Sequence, residues 1–162
     1  MRVPPILKLP PALWAIAREM ARLILRRPVV GVGVVARVPD GRWLLIRRAD
    51  TGTWALPGGT LEWGETIRDL IPRELREEAG TEVRSIGKLV GVFSRPDRDI
   101  RFHGVTIVVT CEVELPSRPP LNFLEIQEVG LFTEEELPHA LAMGMWDMLE
   151  ATLKPAPDPV IE

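Results

Sequence analysis

The sequence contains one cysteine, no excess of positive charge and no long uninterrupted apolar run. A single cysteine cannot form a disulfide within the chain, which fits a reducing compartment. A formal net charge of −3 gives no general attraction for the phosphate backbone of a long nucleic acid. We therefore predict no partner of that kind, although a few arginines can hold a small anionic substrate.

The apolar stretch over residues 12–25 is the part of the chain most similar to a membrane span or a signal peptide. It is interrupted by Arg18, Glu19 and Arg22, and no small-residue cleavage site follows it. A helix needs roughly 20 consecutive apolar residues to cross a bilayer. We therefore predict no membrane span and a cytoplasmic protein.

With 162 residues, 46% of them hydrophobic, the chain can form one compact core and is too short for two ordinary domains. We predict a helical extension over residues 1–28, one domain over 29–153 and a flexible tail over 154–162. Helical spacing of apolar residues predicts an amphipathic helix over residues 11–27. Its apolar face would pack on the same domain or in a homodimer, and membrane-surface attachment is the alternative.

Hydrophobic patterning predicts an α/β fold. The predicted strands cover residues 29–38, 43–46, 84–93, 105–114 and 128–132, and the predicted helices cover residues 67–79 and 134–153. Asp40 and Gly41 supply a turn between the first two strands, and Pro138 interrupts the last helix. Cys111 lies in an apolar run, so we expect a buried core thiol.

Three glutamates, Glu74, Glu77 and Glu78, stand at positions i, i+3 and i+4 of a predicted helix. That spacing puts their carboxylates on one face within a single turn, where like charges repel. Hard oxygen ligands clustered at one point suit Mg²⁺ or Mn²⁺. The alternative is an ordinary solvated face, in which Arg73 and Arg76 pair with neighbouring glutamates.

The segment around these glutamates resembles the Nudix box. That family's pattern is a glycine, five residues, a glutamate, seven residues and then Arg-Glu-aliphatic-any-Glu-Glu-any-Gly. It is matched at Gly59, Glu65, Arg73, Glu74, Leu75, Glu77, Glu78 and Gly80. Eight identities over 22 positions are a highly specific signal. The resemblance covers residues 29–153 and implies a Nudix-type α/β/α sandwich with a mixed β-sheet, with the N-terminal helix outside it.

The sequence departs from the family pattern at two positions. Thr81 stands where the family usually has an aliphatic residue, and its β-branched side chain can start a strand. Pro72 lies where the family usually continues a helix, and a proline in a helix interior typically costs about 3 kcal/mol. We therefore predict that the regular helix begins near Ile71, with residues 66–70 forming a looser turn.

The resemblance implies a metal site and a hydrolytic reaction. The implied ligands of Mg²⁺, or alternatively Mn²⁺, are Glu74, Glu77, Glu78 and the carbonyl oxygen of Gly59. Arg73 and Glu65 would orient the carboxylates, and water would attack a diphosphate to release a monophosphate from each side. One carboxylate must accept the proton of that water, and Glu78 is our prediction, with Glu125 as the alternative.

Five residues are candidates for substrate contact. Arg48 resembles a position that contacts substrate phosphate in relatives, with a structural salt bridge as the alternative. Trp54 is a candidate for stacking on a base, with packing inside the protein as the alternative. Pro96 lies 15 residues after the aliphatic position that closes the box, a spacing similar to that of ADP-ribose pyrophosphatases. Arg98 and Arg101, in the same loop, are candidates for contact with phosphate or ribose.

The predicted function is Mg²⁺-dependent hydrolysis of a nucleoside diphosphate linked to another moiety, with ADP-ribose or a related nucleotide sugar as the substrate. A nucleoside triphosphate such as an oxidised dGTP is the alternative substrate. The alternative from another class is a Nudix-fold module that binds a nucleotide sugar without cleaving it. The intact glutamate triplet favours the hydrolase, because degenerate binding modules are expected to lose metal carboxylates.

Overall fold

The computed structural model describes residues 11–25, 27–154 and 156–162. Its helices are α1 (Pro11–Leu25), α2 (Ile67–Ala79) and α3 (Trp146–Leu153), and a short 3₁₀ turn, Ala142–Gly144, precedes α3. Its strands are β1 (Val29–Arg37), β2 (Trp43–Arg48), β3 (Trp54–Ala55), β4 (Gly58–Thr60), β5 (Val83–Phe93), β6 (Gly104–Val113), β7 (Ile126–Phe132) and β8 (Val160–Ile161).

The strands form one mixed sheet in the order β3-β2-β1-β6-β5-β8, with β4 paired to β1 and β7 paired to β2. The β1–β6 and β5–β8 pairs are parallel and the others are antiparallel. The register of β1 with β2 covers Ala36 and Arg37, whereas β4 pairs with β1 at residues 31–33. The glycine-rich strand β4 therefore lies beside β1 where β2 has diverged from it.

Helices pack on both faces of this sheet. Side chains alternate along the strands, so Val34 and Leu44 join the apolar cluster beneath α2, while Val35 and Leu45 join the cluster beneath α3. Cys111 is buried in the first cluster, and desolvation raises the pKa of its thiol to about 11, as expected of a core thiol. The predicted α/β/α sandwich with a mixed sheet is confirmed.

Helix α2 begins at Ile67, so the prediction that the regular helix starts near Ile71 is wrong. Thr66 caps it, because the Thr66 hydroxyl accepts a hydrogen bond from the Asp69 backbone N–H, and the Asp69 carboxylate accepts one from the Thr66 backbone N–H, both at 3.3 Å. Pro72 therefore lies inside the helix, where it removes one donor. The cap and the buried apolar face of α2 offset that cost.

The end of α2 at Gly80 agrees with the prediction. Gly80 has a left-handed φ of 61°, which glycine adopts without a steric penalty. Thr81 is buried, and its hydroxyl donates a hydrogen bond to the carbonyl of Glu114 at 2.6 Å. The departure from an aliphatic residue therefore leaves no unpaired hydroxyl, and β5 begins at Val83 rather than at Thr81.

Two predictions for the C-terminal third are wrong in part. Of the helical region predicted over residues 134–153, only the 3₁₀ turn and α3 are helical among the described residues. Met143 and Gly144 have left-handed φ values of 52° and 62°, which interrupt a right-handed helix. The predicted flexible tail over residues 154–162 contains β8, which pairs with β5, so its last residues belong to the sheet.

Helix α1 agrees with the predicted N-terminal helix up to Leu25, whereas residue 27 is not helical; residue 26 and residues 1–10 of the predicted extension lie outside the described residues. Four large apolar side chains on it are exposed, namely Leu13, Trp14, Ile16 and Met20. About half or more of each of these side chains is open to solvent, and the packing of this face on the domain or on a second subunit stays a prediction. Across the ranges that the structure describes, no helix has both the length and the apolar character needed to cross a bilayer.

Candidate active site

Three glutamates lie on α2, and two of them, Glu74 and Glu78, reach β4. The helix is oriented by Leu75 and Ala79, which are fully buried against the sheet. Glu74 is also buried, at 9% exposure, whereas the side chain of Glu77 is 46% exposed. Glu78 lies one position from the buried Ala79 and reaches the backbone of β4. The predicted carboxylate face therefore runs from the protein interior to the solvent.

Arg73 connects this face to the loop before α2. Its Nε and Nη2 donate to the two carboxylate oxygens of Glu65 at 2.8 and 3.0 Å, and its Nη1 donates to Oε1 of Glu74 at 2.9 Å. The hydrogen bonds with Glu65 raise the pKa of Arg73, and the same contact lowers the pKa of Glu65. Arg73 therefore stands where it can orient the carboxylate of Glu74.

Two glycines allow β4 to approach the glutamates closely. The backbone N–H of Gly58 donates to Oε2 of Glu78 at 2.8 Å. Gly58 has a φ of 144°, and a Cβ added there would overlap the backbone carbonyl of Val32. A Cβ added to Gly59 would overlap Oε1 of Glu74. Gly58 therefore needs to be glycine for its φ and for the pairing of β4 with β1, and Gly59 needs to be glycine if the Glu74 carboxylate is to reach the strand.

Burial changes the protonation of the two inner glutamates. Desolvation raises the pKa of Glu78 to about 8, and the negative charges of Glu74 and Glu125 add to that rise. Desolvation also raises the pKa of Glu74, although the neighbouring Arg73 opposes the effect. The interior end of the glutamate face therefore holds negative charge at a cost that a bound cation would reduce.

The donor atoms of this site fit a hard divalent cation. Carboxylate and carbonyl oxygens are the ligands that Mg²⁺ and Mn²⁺ prefer. In the part of the chain that the structure describes, no three acidic, histidine or cysteine side chains form a ready metal cluster, and Glu74 and Glu78 instead contact Arg73 and the Gly58 N–H. The absence of a Cβ at Gly59 lets the Glu74 carboxylate lie directly against β4, next to the Gly59 carbonyl that is its predicted co-ligand. The predicted ligand roles of Glu74, Glu77, Glu78 and the Gly59 carbonyl stay predictions.

A cavity of about 180 Å³ adjoins the two glycines. Arg48 and Arg101 line it, and each is paired with an aspartate. Arg48 lies 2.7 Å from Asp50, and Arg101 lies 2.6 Å from Asp99. Hydrogen bonding to Arg48 lowers the pKa of Asp50 to about 2. The structure thus brings two predicted substrate residues to the cavity beside the glutamate face.

The apolar lining of this cavity was missed by the sequence analysis. It includes Met143, Met145, Met148 and Phe102. Thioether side chains are flexible and polarizable, so they adapt to irregular ligand shapes. Three of the five methionines lie between residues 143 and 148, and this clustering in the sequence could have indicated the apolar lining.

Arg98 also borders the cavity, but its contacts differ from the predicted one. Its side chain is only 7% exposed. It donates hydrogen bonds to the carboxylates of Glu162 and Asp147 and to the backbone carbonyl of Gly144. These acceptors occupy the donors of Arg98, and its predicted contact with phosphate or ribose stays a prediction.

Trp54, Pro96 and Glu125 are not among the residues that line the cavity. Trp54 packs edge to face on Phe132 with ring centroids 4.9 Å apart, which favours the packing alternative. Pro96 is exposed in a turn of the loop after β5. Glu125 is exposed, and its charge acts on Glu78, so its predicted role as the alternative base stays a prediction.

A larger cavity of about 670 Å³ lies at the other end of β1, where its lining includes Arg37, Trp43 and Thr152. The described residues around it include none of the predicted site residues. Volume alone would therefore place the site wrongly, whereas the buried carboxylates, the glycines and the arginines all indicate the smaller cavity.

Comparison with known proteins agrees with this geometry. The chain is similar to an ADP-ribose pyrophosphatase of Methanocaldococcus jannaschii, with 40% identity over 95 residues that cover 57% of this chain and 54% of the relative. It is also similar to a MutT-like protein of Streptomyces ambofaciens, with 48% identity over 80 residues, covering 49% and 48%. The chain thus spans about half the length of the curated relatives it matches.

Among solved structures, the crystal structure of a MutT NUDIX hydrolase from Burkholderia pseudomallei is similar, with a TM-score of 0.67 and 30% identity. The alignment covers 78% of this chain and 98% of that one. The family model of the NUDIX domain matches residues 27–152, which is most of the chain. This chain therefore belongs to the Nudix domain family.

Proposed function

We propose that this protein hydrolyses a diphosphate bond in a nucleoside diphosphate linked to another moiety, and that Mg²⁺ or Mn²⁺ is required. The observation that carries the proposal is the contact of Glu74 and Glu78 with Gly59 and Gly58, which border a cavity that is also lined by Arg48 and Arg101. Carboxylates that hold a cation and guanidinium groups that hold phosphate oxygens are complementary parts of a diphosphate site.

The residues of α2 and β4 would hold the cation. Its proposed ligands are Glu74, Glu77, Glu78 and the carbonyl oxygen of Gly59. When bound, the cation supplies neutralisation of the negative charge on the diphosphate. Arg73 keeps the Glu74 carboxylate oriented through its hydrogen bond to Oε1, and Glu65 fixes Arg73 through two further hydrogen bonds.

Glu78 is the proposed general base, and the charge of a bound cation would favour the ionised carboxylate that this role requires. Attack of the water oxygen on phosphorus forms one P–O bond while the bridging P–O bond breaks, and the proton of the water passes to the Glu78 carboxylate. The Gly58 N–H holds Oε2 of Glu78, which leaves Oε1 available for that proton. Two monophosphates are the products. Arg48 is placed to bind the oxygens of the diphosphate from the cavity side.

ADP-ribose, or a related nucleotide sugar, is the proposed substrate. The similar protein from Methanocaldococcus jannaschii is named an ADP-ribose pyrophosphatase. The spacing of Pro96 from the Nudix box agrees with that choice. The cavity also combines arginines with an apolar lining of methionines and Phe102, which suits a charged diphosphate attached to a ring.

The proposal is tested with the purified protein, Mg²⁺ and a panel of ADP-ribose, nucleotide sugars, NADH, dinucleoside polyphosphates and nucleoside triphosphates. We expect ADP-ribose to give AMP and ribose 5-phosphate, identified by mass, and the reaction to stop with EDTA. Cleavage of nucleoside triphosphates alone would support the hydrolase but would show that its substrate is a triphosphate and not ADP-ribose. Binding of ADP-ribose without any cleavage would favour a non-catalytic binding module.

The predictions of a homodimer and of a cytoplasmic location stay predictions. The exposed apolar side chains of α1 are compatible with association between two copies. Measurement of molecular mass at several protein concentrations, with and without residues 1–27, tests this association.

A further inference from the structure

The residues at the end of the described chain contact the loop over residues 94–103, which follows β5. β8 pairs with β5, and Glu162 follows β8 directly. Oε2 of Glu162 accepts hydrogen bonds from the backbone N–H groups of Ser94 and Arg95, both at 2.9 Å. The Ser94 hydroxyl donates to the backbone carbonyl of Glu162 at 3.0 Å. Glu162 therefore fixes the start of the loop.

Arg98 extends this contact to two other segments. Its Nε donates to Oε2 of Glu162 at 3.0 Å, its Nη2 to Oδ2 of Asp147 at 3.1 Å and its Nη1 to the carbonyl of Gly144 at 2.5 Å. The guanidinium also lies over the ring of Phe93, 5.4 Å from its centroid. We call the contacts among Arg98, Glu162, Asp147 and Gly144 the Arg98 clamp.

The positive charge of Arg98 in the clamp is compensated by carboxylates. The side chain of Arg98 is 7% exposed, and an unpaired charge at that depth would be costly. Two carboxylates, those of Glu162 and Asp147, face it. The hydrogen bond with Arg98 lowers the pKa of Glu162 to about 2, so this partner stays ionised through the neutral range. Loss of one carboxylate would leave the positive charge of the Arg98 guanidinium only partly compensated.

The clamp joins two segments that form one side of the cavity. Arg101 follows Arg98 in the loop, and Met143 and Met145 flank Gly144 in the turn before α3. Nη2 of Arg101 lies 3.6 Å from the sulfur of Met143, so the two segments meet at the cavity. The positions of these lining residues therefore depend on contacts that lie behind them.

We propose that Arg98 and Glu162 are positioning residues for the substrate cavity, because they hold the wall made by residues 98–102 and 142–145 opposite the glutamates of α2. This inference rests on the proposed function of the same site. The clamp acts on binding of the group attached to the diphosphate. It does not touch the carboxylates that carry out the hydrolysis.

The test uses Glu162→Gln and Arg98→Lys in the full chain. Glu162→Gln keeps the size of the side chain and removes its charge, whereas Arg98→Lys keeps the charge and removes the planar arrangement of donors. We expect KM for ADP-ribose to rise about tenfold while kcat stays within about twofold of the wild type. Amide hydrogen exchange without substrate should rise severalfold in peptides over 94–103 and 142–148, and stay unchanged in α2.

Glu150→Gln is the matched control, because Glu150 is a carboxylate on α3 paired only with the exposed Lys154 among the described residues. Unchanged loop exchange in both clamp variants would overturn the proposal, and so would a fall in kcat at constant KM. If the wild type cleaves nothing, the proposed function has failed. Calorimetric affinity for ADP-ribose then replaces KM, and faster loop exchange without weaker binding would overturn the clamp.

Discussion

The two sides of the 180 Å³ cavity are built in different ways. The side with the glutamates comes from one continuous segment, residues 58–80, in which the cap, the buried helix face and the glycines are all local to the sequence. The opposite side combines residues 98–102, residues 142–148 and Glu162, which are far apart in the chain. We infer that the first side carries the chemistry and the second side carries recognition of the substrate.

The largest effect that would sharpen this comparison is expected from Glu78→Gln. The amide cannot accept a proton and is a weak ligand for a cation, so kcat should fall by about 10³-fold, within the usual range for a general base. Initial rates with ADP-ribose measure it, and a thermal melt shows whether the fold is kept. Glu82→Gln, an exposed residue paired with Arg118, is the control. Near-native turnover of Glu78→Gln would remove Glu78 from the metal and base roles.

The next effect in size is expected from Gly59→Ala. The new Cβ would overlap Oε1 of Glu74, so the carboxylate must move away from the strand. We expect turnover to fall about 10- to 100-fold, as for loss of a group that orients a metal ligand, and the Mg²⁺ concentration for half-maximal rate to rise.

Gly33→Ala is a matched control for Gly59→Ala, because a Cβ there would meet its neighbours at ordinary contact distances of 3.5 Å or more. Turnover of both variants is measured as a function of Mg²⁺ concentration. If the two variants had the same turnover and the same Mg²⁺ concentration for half-maximal rate, the close contact between β4 and Glu74 would be contradicted.

A smaller effect is expected from Arg48→Ala. Arg48 lines the cavity, whereas Arg47, its neighbour in β2, contacts Glu128 and the carbonyl of Gly52 instead. Loss of one charged hydrogen-bond donor to phosphate should raise KM about tenfold. Steady-state kinetics of Arg48→Ala and Arg47→Ala compare the two faces of one strand. A larger increase in KM for Arg47→Ala would mean that the substrate binds on the face of β2 that carries Arg47, and would contradict the proposed role of Arg48.

The last effect concerns the free energy of unfolding instead of turnover, and the sign of its change with pH distinguishes the two sides. Glu78 has a folded pKa of about 8 against an ordinary value of 4.5, so the folded protein without metal binds more protons than the unfolded chain between these values. Its contribution to the free energy of unfolding therefore decreases as pH rises from about 4.5 to about 8, by at most about 1.4 kcal/mol per pH unit. Glu162, with a pKa of about 2, gives the opposite trend, and its contribution is lost only as pH falls from about 4.5 to about 2.

Thermal melts in EDTA from pH 5 to pH 8 measure the first trend, with Glu78→Gln as the comparison. The wild type should lose stability relative to this variant as pH rises. A constant difference between the two proteins across the range would contradict the buried, protonated state of Glu78.

The sequence analysis predicted the glutamate side well because its determinants are short-range. Helical spacing placed Glu74, Glu77 and Glu78 on one face, and Gly80 marked the end of the helix. The start of α2 was predicted wrongly, since the cost of Pro72 was weighed without the cap formed by Thr66. Local energies thus explain both the success and the error.

Other features depend on contacts that no local pattern reveals. Strands β3 and β4 contain two and three residues, too few for an alternating pattern, and were not predicted as strands. They form because β2 and β1 offer them free edges. Arg98 was predicted to contact phosphate or ribose because of its loop, and its partner Glu162, which lies 64 residues away in the sequence, was not predicted. The sequence-local partners of Arg48 and Arg101, Asp50 and Asp99, lie two residues away, whereas the partner of Arg98 is brought to it only by the tertiary fold.

The long separation between Arg98 and Glu162 also bears on biosynthesis. A polypeptide emerges from the ribosome from its N-terminus, and local elements form before distant partners arrive. Residues 58–80 are translated long before residues 160–162, so a nascent chain acquires its carboxylate helix while the loop after β5 still lacks its anchor. The wall of the cavity formed by residues 98–102 would therefore be fixed only after residue 162 has emerged.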